Sequence, residues 1–152
     1  MQSTKQAVFI LGEEEYSMDI MDVVTIEKVV TIEPVSSLPQ NFKGVINLRG
    51  DIIPVYSLRK KFGLEEILPD PDTRFVITSS EGVLVAFEVD KMSGIVQLNG
   101  DQLSEVPLLV QSNDTSYLKA MTKLDNRLVM ILDKDKILSE EDHKKIVKAI
   151  KK

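Results

Sequence analysis

Short apolar runs alternate with tight polar turns along almost the whole chain, a pattern that leaves room for little besides an antiparallel β fold. Ala7 to Leu11 reads as a strand, Gly12-Glu13-Glu14-Glu15 as an acidic turn, and Tyr16 to Ile20 as the returning strand, with Tyr16, Met18 and Ile20 on one face. Gly44 to Leu48, Arg49-Gly50-Asp51 and Ile52 to Tyr56 make a second hairpin. Arg74 to Thr78 and Val83 to Val89 flank the turn Ser79-Ser80-Glu81-Gly82, and Tyr117 to Leu124 and Arg127 to Leu132 flank Asp125-Asn126. Gly94 to Leu98 is a further strand. Pro54 has no amide to donate, so its strand is expected at an edge or a bulge. Val23 to Val30 fits a β-branched strand or a helical turn equally well.

The connections carry their own signals. Pro34 and Pro39 bracket an extended linker from Glu33 to Gln40. Leu58 to Phe62 reads as one helical turn closed by Gly63, and a loop with Pro69 and Pro71 follows. Leu103 to Asp114, with Pro107, has no clean period and reads as irregular. Ser139-Glu140-Glu141-Asp142 is a capping pattern, so a terminal helix is expected with Ile146, Val147 and Ile150 as its stripe. Lys144, Lys145, Lys148, Lys151 and Lys152 crowd its C-terminal end, as the helix dipole prefers.

Leu48 to Val55 can be laid on Leu124 to Ile131, half the chain length away. Each is a strand end, a polar turn and an apolar strand, and each runs into a Lys-rich turn closed by an apolar residue, Phe62 or Leu138. Such a repeat suggests two similar β lobes, although any two hairpins share these features.

The chemical inventory is thin. Lys+Arg is 19 and Asp+Glu is 24, a net charge of −5 that argues against a general nucleic-acid binder. Cysteine is absent, which excludes disulfides, thiolate metal sites and thiol nucleophiles, and His143 is the single histidine. Gly44 to Gly50 has the wrong spacing for a phosphate loop. Asp133 and Asp135 resemble the start of a calcium loop, but Ile137 stands at the next ligand position. Asp70 and Asp72 flank Pro71 without an aromatic sugar platform, and Glu13-Glu14-Glu15 reads as a solvated turn. Asn113-Asp114-Thr115 matches the glycosylation pattern without a secretion signal, and no apolar run approaches the ~18 residues a membrane span needs. No catalytic, cofactor or metal residue is assigned, and a cytoplasmic location is expected. Surfaces remain: strand edges and apolar grooves that take other chains.

Phe42-Lys43-Gly44-Val45-Ile46-Asn47-Leu48-Arg49-Gly50-Asp51-Ile52-Ile53-Pro54-Val55 resembles the hallmark of the chemotaxis coupling protein CheW family. Phe9 to Ile20 looks like that family's first hairpin and Lys123 to Asp133 like its last, so the resemblance spans nearly the whole chain as one domain, 1–152. It implies an all-β fold with short helices: two intertwined, SH3-like, five-stranded β-barrel lobes around a shared hydrophobic core, with a C-terminal helix. It also implies a non-enzymatic adaptor joining the cytoplasmic tips of chemoreceptors to the regulatory domain of a CheA-type histidine kinase. Such a protein is recruited to receptor arrays at the inner face of the membrane without inserting into it. The partner-binding residues carried over are Val23, Gly44, Asn47, Arg49 and Gly50, with Val23 and Gly44 near a groove between the lobes. On this reading Gly44→Asp weakens receptor binding and spares the fold.

The chain departs from the family's pattern at four positions. Thr25 stands where an acid usually pairs with the hallmark arginine, and Glu27 is the nearest acid. Ser57 replaces a common aspartate, and Ala120 and Thr122 replace Gly and Ala. Three other functions compete: a scaffold for a non-chemotaxis kinase pathway, a small β-barrel enzyme or ligand binder using Asp70–Asp72 or Asp133–Asp135, and a membrane-surface protein using the Lys-rich helix.

Overall fold

The structure is a computed structural model, described here for residues 3–80, 82–106 and 115–150. Glu81 of one expected turn, residues 107–114 of the irregular stretch with Asn113-Asp114, and Lys151 and Lys152 lie outside the described residues. In chain order the strands are β1 Ser3–Leu11, β2 Glu14–Asp19, β3 Val23–Lys28, β4 Phe42–Leu48, β5 Asp51–Ser57, β6 Arg74–Ser80, β7 Val83–Val89, β8 Lys91–Asn99, β9 Leu103–Ser104, β10 Leu118–Leu124 and β11 Arg127–Leu132. Helix α1 is Leu58–Lys61 and α2 is Glu140–Ile150. Val23 to Lys28 is a strand, and the preceding Ile20–Asp22 is a 3-10 turn that takes Ile20 out of the face shared by Tyr16 and Met18.

Two sheets form. Lobe 1 has the order β8-β1-β2-β11-β10-β9 and lobe 2 the order β3-β6-β7-β5-β4. Lobe 1 closes on itself because β8 runs through a 3-10 turn into β9, which pairs β10. Lobe 2 closes where Glu33, beyond β3, exchanges backbone hydrogen bonds with Val45 of β4 at 2.8 and 2.9 Å. Both lobes are SH3-like barrels, and neither is built from one half of the chain. Hairpin β1–β2 joins β8, β10 and β11 from the second half, and hairpin β6–β7 joins β3, β4 and β5 from the first.

The half-chain repeat is present in the backbone. β5 runs parallel to β7, as β11 runs parallel to β2. The register shifts between Phe42 and Gly44 in β4 and between Leu118 and Ala120 in β10, which are matching positions of the repeat. Both turns carry left-handed residues, Arg49 and Gly50 in one and Asp125 and Asn126 in the other. This is the two-residue geometry that matches strand twist.

Of the two places expected for the strand of Pro54, an edge or a bulge, the bulge is present: β5 pairs β4 across a register shift between Phe42 and Gly44, opposite Tyr56 and Val55. β5 is flanked by β7 and β4, so it is not an edge. Val45, opposite Pro54, has its amide and carbonyl engaged by Glu33 on the other side. Antiparallel pairs alternate between bonded and non-bonded, so Val45–Pro54 is a non-bonded pair and the missing amide forfeits no β4 hydrogen bond.

The two sheets share one core. Phe9, Leu11, Tyr16 and Met18 of lobe 1 pack with Tyr56, Val76, Val85 and Phe87 of lobe 2. Phe87 is buried and meets Tyr56 edge-on at 5.6 Å, so truncation to Ala would cost about 3–5 kcal/mol. The rings of Tyr16, Phe62 and Tyr117 stack in sequence at 4.8 and 5.1 Å, tying α1 to lobe 1. Ser139 caps α2 by accepting the Asp142 amide at 3.0 Å. Ile146 is fully buried and Val147 packs on the same core, so this part of the stripe is covered by protein and is not offered to a membrane. Arg59 of α1 grips Asp90 with two nitrogens at 2.9 and 2.6 Å, and Asp90 also accepts the Gly12 amide at 2.8 Å. This strap holds the β1–β2 turn of lobe 1 against lobe 2.

Candidate partner-binding surface

The hallmark turn between β4 and β5 is built by its own residues. Asn47 accepts the Gly50 amide on its side-chain oxygen at 3.1 Å, which fixes the turn from within. Gly50 takes φ +90° without a steric cost, whereas Arg49 holds φ +51°, a region that a long side chain seldom enters. The Arg49 side chain reaches Glu27 of β3, with Nη2 to Oε2 at 3.0 Å, and the Thr25 hydroxyl donates to the same oxygen at 2.6 Å. The Thr25 hydrogen bond, and then the one from Arg49, hold the Glu27 carboxyl below its usual range. The pair spans the two edge strands of lobe 2 and lies beside their seam. The arginine itself is 68% exposed, so it retains room for a partner.

The CheW-like domain family matches residues 6–142. The chain belongs to the CheW family. It is 32% identical over 135 residues to the chemotaxis protein CheW of Klebsiella aerogenes, covering 89% of this chain and 81% of that one. The chemotaxis protein CheW of Helicobacter pylori is 32% identical over 134 residues, covering 88% and 80%. Among solved structures, the scaffolding protein TtCheW from Thermoanaerobacter tengcongensis superposes with a TM-score of 0.82 at 30% identity, covering 93% of this chain and 92% of that one.

Within this CheW-family fold the carried-over residues separate. Asn47, Arg49 and Gly50 sit together in one exposed turn. Gly44 does not join them at the surface. It is buried at φ +149°, and a Cβ there would lie 2.2 Å from the Glu33 carbonyl oxygen. Its role is to let the β3–β4 linker lie directly on β4, so the expectation that Gly44→Asp spares the fold is corrected. Ala120, at the matching place in lobe 1, has no positive φ, so glycine is not needed there.

Val23 lies at the start of β3, and strand register shows what accompanies it. Val23 pairs with Thr78 and Ile26 with Val76, so both side chains lie on the face of lobe 2 toward the shared core. On β8, the matching edge strand of lobe 1, Met92 pairs with Phe9 and Ile95 with Ala7, again on the core side. Ile95 is 59% exposed. Next to Val23, the exposed side chains are Met21 at 87% and Val24 at 57%. Val24 is the extra residue where the β3 register shifts, so it leaves the alternation that would have hidden it. No local pattern in the sequence tells exposed edge residues such as Met21, Val24 and Ile95 from core ones.

The remaining departures and carboxylates have structural duties. Ser57 caps α1 by accepting the Lys60 amide at 3.1 Å and donates a short hydrogen bond to Glu66. Asp70 accepts the amides of Asp72 and Thr73, and Asp133 accepts that of Asp135. These are turn and cap contacts.

Proposed function

We propose that this chain is a non-enzymatic adaptor that couples the cytoplasmic tips of chemoreceptors to a CheA-type histidine kinase. It would act in the cytoplasm as one unit, recruited to receptor arrays at the inner face of the membrane. The observation that carries this reading is the pair of edge strands β3 and β8. Each turns apolar side chains toward the shared core, and Met21, Val24 and Ile95 stay exposed beside them. An amphipathic helix docks on such a surface by inserting apolar side chains at helical spacing. The Arg49 turn belongs to lobe 2 and presents a charged, rigid contact of the kind that sets partner choice.

Co-sedimentation with receptor cytoplasmic fragments, with and without kinase, tests the proposal. The wild-type chain is expected in the pellet with the receptor and to raise kinase activity. Met21→Glu and Ile95→Glu, each folded, should lose receptor binding. Normal binding by both would refute the docking surface, and no kinase effect from the wild-type chain would refute the coupling role.

A further inference from the structure

The two barrels share one strand order, to which lobe 1 adds the short β9, but their interiors differ in chemistry. In lobe 2 the inward positions hold Phe75, Ala86 and Ile46. With the lobes aligned on their register shifts, the matching positions of lobe 1 hold Gln6, Ser17 and Thr122, all buried. Buried polar side chains are costly unless bonded, and these are bonded in a definite direction. The Ser17 hydroxyl donates to the Gln6 side-chain oxygen Oε1 at 2.8 Å, and the Gln6 side-chain nitrogen Nε2 donates to the Thr4 hydroxyl at 3.0 Å. The Thr4 hydroxyl donates in turn to Asp19 Oδ2 at 3.1 Å. A hydroxyl has one proton to give and room to accept, so Thr4 is used in both senses.

The relay ends where the chain leaves lobe 1. Asp19 Oδ1 accepts the Met21 amide at 2.9 Å and so caps the 3-10 turn Ile20–Asp22. That turn presents Met21 and leads directly into Val24, two of the most exposed large apolar side chains. We infer that Asp19, held by the Thr4–Gln6–Ser17 relay, is a positioning residue that pre-orders the Met21–Val24 segment for a docking helix. Neither Thr4 nor Gln6 need touch the partner, because the relay acts through the backbone of the turn. Pre-ordering an exposed segment removes part of the ordering cost that binding would otherwise carry. The inference rests on the proposed docking role of Met21 and Val24.

The test uses the full chain with Thr4→Val, Thr4→Ser, Asp19→Ala and Asp19→Asn, read by amide hydrogen exchange and by co-sedimentation with a receptor cytoplasmic fragment. Thr4→Val and Asp19→Ala should speed exchange at Met21 and weaken receptor binding by about fivefold, the effect of freeing a short segment. Thr4→Ser keeps the hydroxyl, Asp19→Asn keeps an acceptor for the Met21 amide, and both should stay within about twofold of wild type on the same scale. Met21→Glu in parallel separates the two ideas. If Met21→Glu abolishes binding while Thr4→Val changes neither binding nor exchange, the positioning role is wrong. If Met21→Glu binds normally, the docking reading fails, and exchange at Met21 in Thr4→Val alone decides whether the relay orders the turn. Should Asp19→Ala fail to fold, Thr4→Val decides the question.

Discussion

Arg49 Nη2 lies 3.0 Å from Glu27 Oε2, tying the β4–β5 turn to the edge strand β3 two residues along from Thr25, where the resemblance places the family's usual acid. Thr25 and Glu27 point to the same face of β3, so the longer glutamate reaches the arginine while the threonine hydroxyl braces it. The arginine's left-handed backbone is strained for its side chain, and asparagine enters that region more readily. Arg49→Asn should therefore leave Tm within about 3 °C of wild type or raise it. Arg49→Ala and Arg49→Lys should likewise stay folded, and all three should impair receptor-coupled kinase activation. Melting curves beside coupled assays check this: full coupling by all three would reduce Arg49 to a turn residue, and unfolding of all three would make its role structural.

Gly44 makes the opposite prediction. A β-carbon there overlaps the Glu33 carbonyl, and the φ of +149° disfavours any side chain. Gly44→Ala should cost at least about 2 kcal/mol, with Gly44→Asp worse because its charge is buried as well. Urea melts would settle the point, and an unchanged midpoint for Gly44→Ala would contradict the close approach.

Ser57 couples to Glu66 through a short hydrogen bond while capping α1. Ser57→Ala should lose about 1 kcal/mol with the cap. Ser57→Asp restores a capping acceptor but sets a carboxylate against Glu66, so it should be less stable at pH 7 than Ser57→Asp combined with Glu66→Gln. Because Glu66 also pairs with Lys43 at 3.8 Å, Glu66→Gln in the wild-type chain is the reference, and an equal effect of Glu66→Gln in wild type and in Ser57→Asp would show that residues 57 and 66 do not interact.

Asp90 predicts an acid limb. Burial pushes its carboxyl up, but the Arg59 hydrogen bond, the Gly12 amide and the Arg59 charge together hold it below the ordinary range. A depressed folded value means the unfolded chain takes up the proton first. Its contribution is complete above the unfolded aspartate value of about 4 and is lost as pH falls through the lower folded value. Asp90→Asn should lower stability at pH 7 and flatten the fall of Tm with acid below about pH 4. A parallel fall in wild type and variant would remove Asp90 from the acid response.

Asp22 has the reverse sign. Burial raises its carboxyl, Asp19 and Asp135 add to that, and Lys134 and Lys119 only partly oppose it. With the folded value raised, stability is greatest while the group is protonated and declines as pH rises through the folded value. Asp22→Asn should be more stable than wild type at pH 7, and the advantage should vanish below about pH 4, where the acid is neutral in both states. An advantage that is absent at neutral pH, or that persists in acid, would contradict this.

The sequence alone determined what depends on near neighbours. The Asp125-Asn126 turn, the Ser139 cap and the one-turn helix before Gly63 follow from residue type, because their hydrogen bonds close within a few positions. The hallmark run from Phe42 to Val55 was enough for the family, whereas the half-chain repeat suggested two similar lobes without separating them from any two hairpins. Tertiary structure alone decided the rest. Which hairpin joins which lobe depends on pairing across half the chain, as β11 with β2 and β5 with β7, and no local propensity encodes a distant partner. The interior place of Pro54, the buried approach of Glu33 to Gly44 and the reach of Arg49 to Glu27 are consequences of that pairing. The exposure of Met21, Val24 and Ile95 is another, since an apolar side chain at a strand edge reads in sequence like one in the core, and only the packing of two lobes leaves it in water.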